Sequence, residues 1–169
     1  LDCGCDQLCP GDEGYQAPDE GEGDGLFEAI WLAGYSSARP ANYVHDDVWA
    51  RTVVFQQGDV DLALVSVDLV GFFRSDVDIV QERLRTEIPE LDYILISSTH
   101  VHSGPDVMGQ WGRIPGTTGR NERYQTELYD FIVEGVVEAW NSRQEATMSV
   151  GSVDTSTYSA EKGTRNLIH

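Results

Sequence analysis

The sequence predicts an α/β fold in which helices pack on a mixed β-sheet, and three observations carry that prediction. Two segments rich in β-branched residues, Val48–Phe55 and Val60–Leu69, flank Gln56-Gln57-Gly58-Asp59, the pattern of a hairpin. A helical repeat then separates the second segment from a third apolar run that ends at Ser98, so strand, helix and strand form a crossover unit whose two strands lie parallel. A broad apolar face at helical spacing fills residues 122–143.

Taken in order, residues 1–25 hold eight acids, six Gly, two Pro and no Lys or Arg, with little apolar surface to bury. This composition predicts a disordered acidic tether. Residues 26–169 form the folding unit, opening with Leu26-Phe27-Glu28-Ala29-Ile30-Trp31-Leu32-Ala33, which the loop Gly34–Pro40 interrupts. The segment from Leu62 to Asp68 is apolar at nearly every position, which predicts a central strand buried on both faces. Ser75 is placed to cap a helix reaching Ile88, with Val77, Val80, Leu84 and Ile88 at helical spacing and Pro89 stopping it. Leu91–Ser98 is the next strand. The Gly-rich stretch from Ser103 to Asn121 is long enough to expect a functional loop, with Trp111 near its centre as part of a lid. From Glu122 to Arg143, Tyr124, Leu128, Phe131, Ile132, Val136, Val137 and Trp140 form a helical face that packs on the sheet. Thr147–Val153 reads as a further strand and Lys162–Asn166 as a polar loop. Trp31, Trp49 and Trp140 read as core.

The net charge is −18, with 29 acids against 11 Lys and Arg. A field of that sign repels phosphate backbones, so nucleic acid is excluded as a partner. No apolar run approaches the ~20 residues of a transmembrane helix. Cys3, Cys5 and Cys9 crowd the beginning of the chain. They permit one local disulfide plus a free, lipidated or intermolecular thiol, or a loose metal clip. A Cys-rich start at Leu1 followed by an acidic linker leads us to expect a secreted or cell-envelope protein whose signal peptide has been removed.

The chemistry concentrates in Ile94–Pro105, ILISSTHVHSGP. Here His100 and His102 follow an apolar strand, and Gly104-Pro105 ends any regular continuation. On an extended backbone, side chains two apart point to one side, so both rings are expected to converge on one point. Neutral imidazoles in that arrangement can share Zn2+ and leave coordination sites open for water or substrate. Asp68, at the end of the central strand, is a candidate to orient a ligand histidine or to cap the next loop. His45 beside Asp46 and Asp47 reads as a solvated turn or, less readily, a cation site.

Thr99-His100-Val101-His102-Ser103-Gly104-Pro105 resembles the THTHSGP signature of the neutral (non-lysosomal) ceramidase family of zinc amidases. Upstream, Ala33-Gly34-Tyr35 is similar to its MxGY element, Val44-His45-Asp46-Asp47-Val48-Trp49-Ala50-Arg51 to its GIHxxLxAR segment, and Ala63–Leu69 to its VxLVSxDL strand. The resemblance covers about residues 31–105, in order, and it implies the N-terminal part of a larger zinc-hydrolase catalytic domain. It makes His100 a zinc ligand, puts His102 beside the nucleophile and the substrate amide, and, through Thr164-Arg165-Asn166, makes Arg165 the residue that steadies the substrate carbonyl. A second histidine ligand, a Glu, a Tyr and a serine nucleophile would lie beyond residue 169. Val101, the stretch Asp106–Trp111 and the unrecognisable N-terminal strand depart from the family pattern, chiefly around the substrate mouth.

The expected activity is hydrolysis of an amide bond in a ceramide-like N-acyl lipid or a related small N-acyl substrate. Zn2+ is the expected cofactor. The expected partner is the remainder of the catalytic domain or a second processed chain. Two other readings use the same residues: an esterase or lipase on this scaffold, and a non-catalytic secreted binding protein that keeps the fold.

Overall fold

The structure, a computed structural model, describes residues 3, 8–18, 22–23 and 29–154. It is α/β: a three-stranded mixed sheet with two helices, in the order β1 (Ala50–Gln57), β2 (Val60–Val67), α1 (Arg74–Glu87), β3 (Tyr93–Ser98) and α2 (Glu122–Asn141). Leu26–Glu28, Cys5, the loop Lys162–Asn166 and much of the acidic tether lie outside the described residues.

The predicted hairpin and crossover both form. β1 and β2 pair antiparallel from Ala50↔Val67 to Gln57↔Val60, and Gly58 in the intervening turn has φ 60°, the left-handed backbone that such a two-residue turn asks for. β2 and β3 pair parallel from Leu62↔Tyr93 to Val67↔Ser98, which makes β2 the central strand of the order β1-β2-β3. Its burial differs from expectation. Ala63, Val65 and Val67 are buried, whereas Leu62, Leu64 and Ser66 on the opposite face are only half-covered. Both helices lie on the side of Ala63, Val65 and Val67, and one core joins these residues to Val80, Leu84, Ile88, Leu128, Ile132 and Val136.

The other face is apolar and uncovered among the described residues. The register lines up Val53, Leu64 and Leu95 in one cross-strand row and Phe55, Leu62 and Tyr93 in the next. Leu95 is 56% exposed and Tyr93 61%.

Several elements depart from the sequence reading for local reasons. Ser75 does not cap α1. The N-cap is Phe73, whose N–H donates to the Asp76 carboxylate at 3.2 Å. Asn121 caps α2, accepting from the Tyr124 N–H at 2.9 Å. Phe131 is 64% exposed because the buried stripe of α2 runs through Gln125, Leu128, Tyr129, Ile132 and Val136, to one side of it. Trp49 is also exposed, lying under the Arg51 guanidinium rather than in the core. Thr147–Val153 is not a strand. An alternating pattern needs a ladder partner, none of the described strands pairs with it, and Met148 and Val150 face solvent.

A polar junction ties α1 to α2 inside the core. Asp76, 1% exposed, accepts from the Tyr129 hydroxyl at 2.6 Å and from Arg120 at 3.1 Å. Burial works against the Arg120 charge, but Asp76 outweighs it and raises the guanidinium's pKa. Burial and the hydrogen bond to Asp76 both push the Tyr129 phenol upward. Arg83 on α1 also pairs with Asp130 on α2. Removing one partner of such a buried pair strands the other's charge, so Asp76→Ala should cost about 3–5 kcal/mol in urea unfolding. Tyr129→Phe, which leaves the ion pair intact, should cost about 1–2 kcal/mol. Equal losses for the two variants would contradict this account.

Candidate functional site

The site forms where the parallel pair β2–β3 gives out. Past the last ladder pair, the chain after β2 continues to hold the chain after β3: Val67 O accepts the Thr99 N–H and Leu69 O the His100 N–H, each at 3.0 Å. Open α/β sheets commonly place their sites at this carboxyl edge.

His100 and His102 do converge, but not along an extended backbone. His100 has φ 62° and Ser103 φ 84°, left-handed values rare for residues with a side chain, and the turn they make swings the rings together. The two Nε2 atoms stand 3.5 Å apart and the ring planes are inclined at 74°. His100 Nδ1 lies 2.6 Å from Val70 O. A carbonyl can only accept, so Nδ1 carries the proton and Nε2 keeps its lone pair. His102 has no such anchor. Its ring nitrogen meets His100 Nε2, and the Tyr35 ring meets it edge-on at 4.9 Å.

The segment Trp31–Tyr35 braces this turn from outside. Ala33 N–H donates to Gly104 O and Ala33 O accepts from Ser103, both at 2.9 Å, while Trp31 O accepts the Asp106 N–H at 2.7 Å. Gly34, at φ 105°, lets the His102 ring lie against the backbone, because a Cβ there would come 2.6 Å from His102 Cβ.

Asp68 braces it from the strand side. Its carboxylate accepts from Arg51 at 2.8 Å, from Thr99 Oγ1 at 3.1 Å and from the Trp49 N–H at 3.2 Å. It touches neither ring, so it acts on His100 only through the neighbouring Thr99. Burial pushes the Asp68 pKa up, but the hydrogen bonds from Arg51, Thr99 and Trp49 and the Arg51 charge prevail and hold it below the ordinary carboxylate value.

The loop after Pro105 is organised by a residue that sequence reasoning passed over. Asp106, 2% exposed, accepts four backbone N–H groups: Met108 at 3.0 Å, Gly109 at 2.9 Å, Trp111 at 2.8 Å and Gly119 at 3.2 Å. An aspartate before a Gly-rich stretch was the available signal. Trp111, expected in a lid, is half-buried with its indole N–H donated to Tyr35 O at 3.3 Å. Arg39 was missed as well. It donates to Ser103 Oγ at 2.6 Å and lies over the Tyr35 ring at 5.1 Å.

No family model, curated protein or solved structure matches the chain.

Of the residues singled out from sequence, His100 and His102 are brought together and Arg165 lies outside the described residues. His45 pairs only with Asp46, at 2.7 Å and largely in solvent, which is the solvated turn. Cys3 is bonded to Cys9. Among the described residues no three His, Cys, Asp or Glu side chains cluster as a metal site would require, and no helix is long and apolar enough to cross a membrane.

Gly34→Ala should destabilise by about 1–3 kcal/mol and move the His102 imidazole resonances while leaving those of exposed His45 in place. Unmoved His102 signals would contradict the packing described. Because the folded pKa of Asp68 is depressed, its contribution is complete above the ordinary carboxylate range and is lost as pH falls through the folded value. Asp68→Asn should therefore be less stable than wild type near pH 7, with the gap closing below pH ~4. A gap that does not change with pH would leave the charge without a role.

Proposed function

We propose that this chain is the N-terminal part of a zinc-dependent amide hydrolase of the neutral ceramidase type, acting on an N-acyl substrate. One observation carries the reading. The four segments of the resemblance, separated along residues 33–105, meet around the two histidines: Gly34 and Tyr35 against His102, Trp49 and Arg51 on Asp68, and Asp68 on Thr99. Their convergence supports reading them as parts of one site.

The residues present fit a zinc ion. His100 offers Nε2 with its lone pair free and its tautomer held by Val70 O, the outer-shell arrangement usual for ligand imidazoles. His102 Nε2, 3.5 Å from His100 Nε2, would stand beside an ion held there. We assign His100 as the ligand. His102, lacking an anchor on its ring, is the residue that holds and releases a proton at Nε2 beside the substrate amide. Zinc in such a site polarises the scissile carbonyl or the attacking hydroxyl.

Two histidines do not complete a hydrolytic site, and the remaining ligands and the nucleophile are assigned to polypeptide outside the described residues. The uncovered rows Val53-Leu64-Leu95 and Phe55-Leu62-Tyr93 are where we seat it, whether it is the remainder of the domain or a second chain. A contiguous apolar face of this kind in water marks a surface to be covered.

Elemental analysis of the complete protein tests both parts. Wild type should carry stoichiometric zinc and His100→Ala should carry none; absence from wild type, or retention in the variant, would overturn the zinc reading. Leu95→Arg, on the uncovered face, should also lower zinc occupancy. Full occupancy in that variant would move the second layer elsewhere and leave His100 as the ligand.

A further inference from the structure

Arg39 is one of three described arginines without an ion pair, with Arg113 and Arg143, and of the three it is the one bonded to the histidine turn. Of the nine arginines within the described residues, six are ion-paired: Arg51, Arg74, Arg83, Arg85, Arg120 and Arg123. Among the described residues Arg39 has no carboxylate partner, although acids outnumber Lys and Arg by 29 to 11. It is held instead by neutral groups: Ser103 Oγ at 2.6 Å, Ala33 O at 3.5 Å and the face of Tyr35. Two acids of the adjoining loops are engaged elsewhere, Asp68 with Arg51, Thr99 and the Trp49 N–H, and Asp106 with four backbone N–H groups. The guanidinium is thus held by neutral groups, with no described carboxylate on it.

Its position gives that charge a use. Ser103 follows His102 directly, and Tyr35 stacks on Arg39 while its edge meets His102. A guanidinium has five N–H donors in a planar fork, and Arg39 directs only two of them to protein groups. The Ser103 hydroxyl, accepting from Arg39, retains its own proton to donate. Together they offer a charged fork and a hydroxyl donor to a planar anion beside the histidine pair. Carboxylate ligands pass an otherwise repulsive field, so only a local, preformed cation can select them.

We infer that Arg39 and Ser103 form a carboxylate-binding corner of the His100/His102 site, and that the preferred substrate is an N-acyl amino acid rather than a neutral N-acyl amine. The substrate assignment rests on the hydrolase reading given above; the anion-binding corner does not.

The two are separable in one set of measurements on the complete protein, with the polypeptide that completes the site present. With metal stripped, N-acetylglycine and the neutral N-acetylethanolamine are titrated while the backbone amide resonances of Ser103 and Gly104 are followed. N-acetylglycine should give saturable shifts and N-acetylethanolamine none, and Arg39→Gln should weaken N-acetylglycine binding about tenfold or more. Arg39→Lys, which keeps the charge and loses the fork, should fall between. Equal response to the two compounds, or unchanged binding in Arg39→Gln with the native circular dichroism spectrum retained, would overturn the corner. With zinc supplied, the ratio of kcat/KM for N-acylglycine over the matched N-acylethanolamine should fall about tenfold or more in Arg39→Gln, mostly through KM. An equal drop for both substrates would overturn the substrate assignment. A protein that binds N-acetylglycine through Arg39 yet hydrolyses neither substrate would retain the corner and refute the hydrolase reading instead.

Discussion

The arrangement depends on a short run of carbonyls that prolongs β2. Val67 O, Leu69 O and Val70 O take, in turn, the Thr99 N–H, the His100 N–H and the His100 ring proton. β2 is pinned by ladders on both sides, and Leu69 and Val70 are buried, so these acceptors move only with the core. The imidazole is therefore positioned by the sheet, with the loop contributing little. That explains how two non-glycine residues, His100 and Ser103, are kept at positive φ in one turn. Left-handed backbone of this kind costs on the order of 1–3 kcal/mol per residue and persists only where its surroundings over-determine it. Here three strand-end bonds and the Ala33 pairings do so.

Acids supply most of the remaining bracing. Asp68 joins the ends of β1, β2 and β3 through Arg51, the Trp49 N–H and Thr99; Asp76 joins α1 to α2; Asp106 gathers the long loop by its amides. Each fills its acceptor sites with donors, as a buried carboxylate must. A surface rich in negative charge thus encloses a frame in which these three carboxylates are matched to donors. Arg39 is the inverse case, a cation ordered beside the histidines without an acid to match it.

What the sequence disclosed follows from what periodicity can encode. The hairpin, the crossover and both helices were legible because a face that must be buried repeats at two or 3.6 residues. Burial itself was not legible. The run from Leu62 to Val67 reads the same whether one face or two are covered, and Phe131 and Trp49 look like core until the partner surfaces are known. The Met148–Val153 alternation is strand-like, yet a strand exists only with a neighbour. At the site, the pairing of His100 with His102 was legible from their spacing, but its cause was not: a left-handed residue, rather than the pleat, turns the rings inward. Asp106 and Arg39 escaped notice because their partners are backbone groups or residues far along the chain, such as Ser103.

The uncovered sheet face bears on how such a site is closed. The row of polar positions next to the two apolar rows is Arg51, Ser66 and Ser97. Arg51 reaches from that row to Asp68, which in turn holds Thr99, the residue before His100. One polar row thus separates the apolar face from the carboxyl edge at which the histidines stand. The helices occupy the opposite face and approach that edge from their own side. A layer seated on Val53, Leu64 and Leu95 would arrive at the same edge from the free side, beside the histidine pair. Under the zinc reading proposed above, hydrophobic covering of the sheet and completion of the site would be one event, with apolar burial giving the driving force.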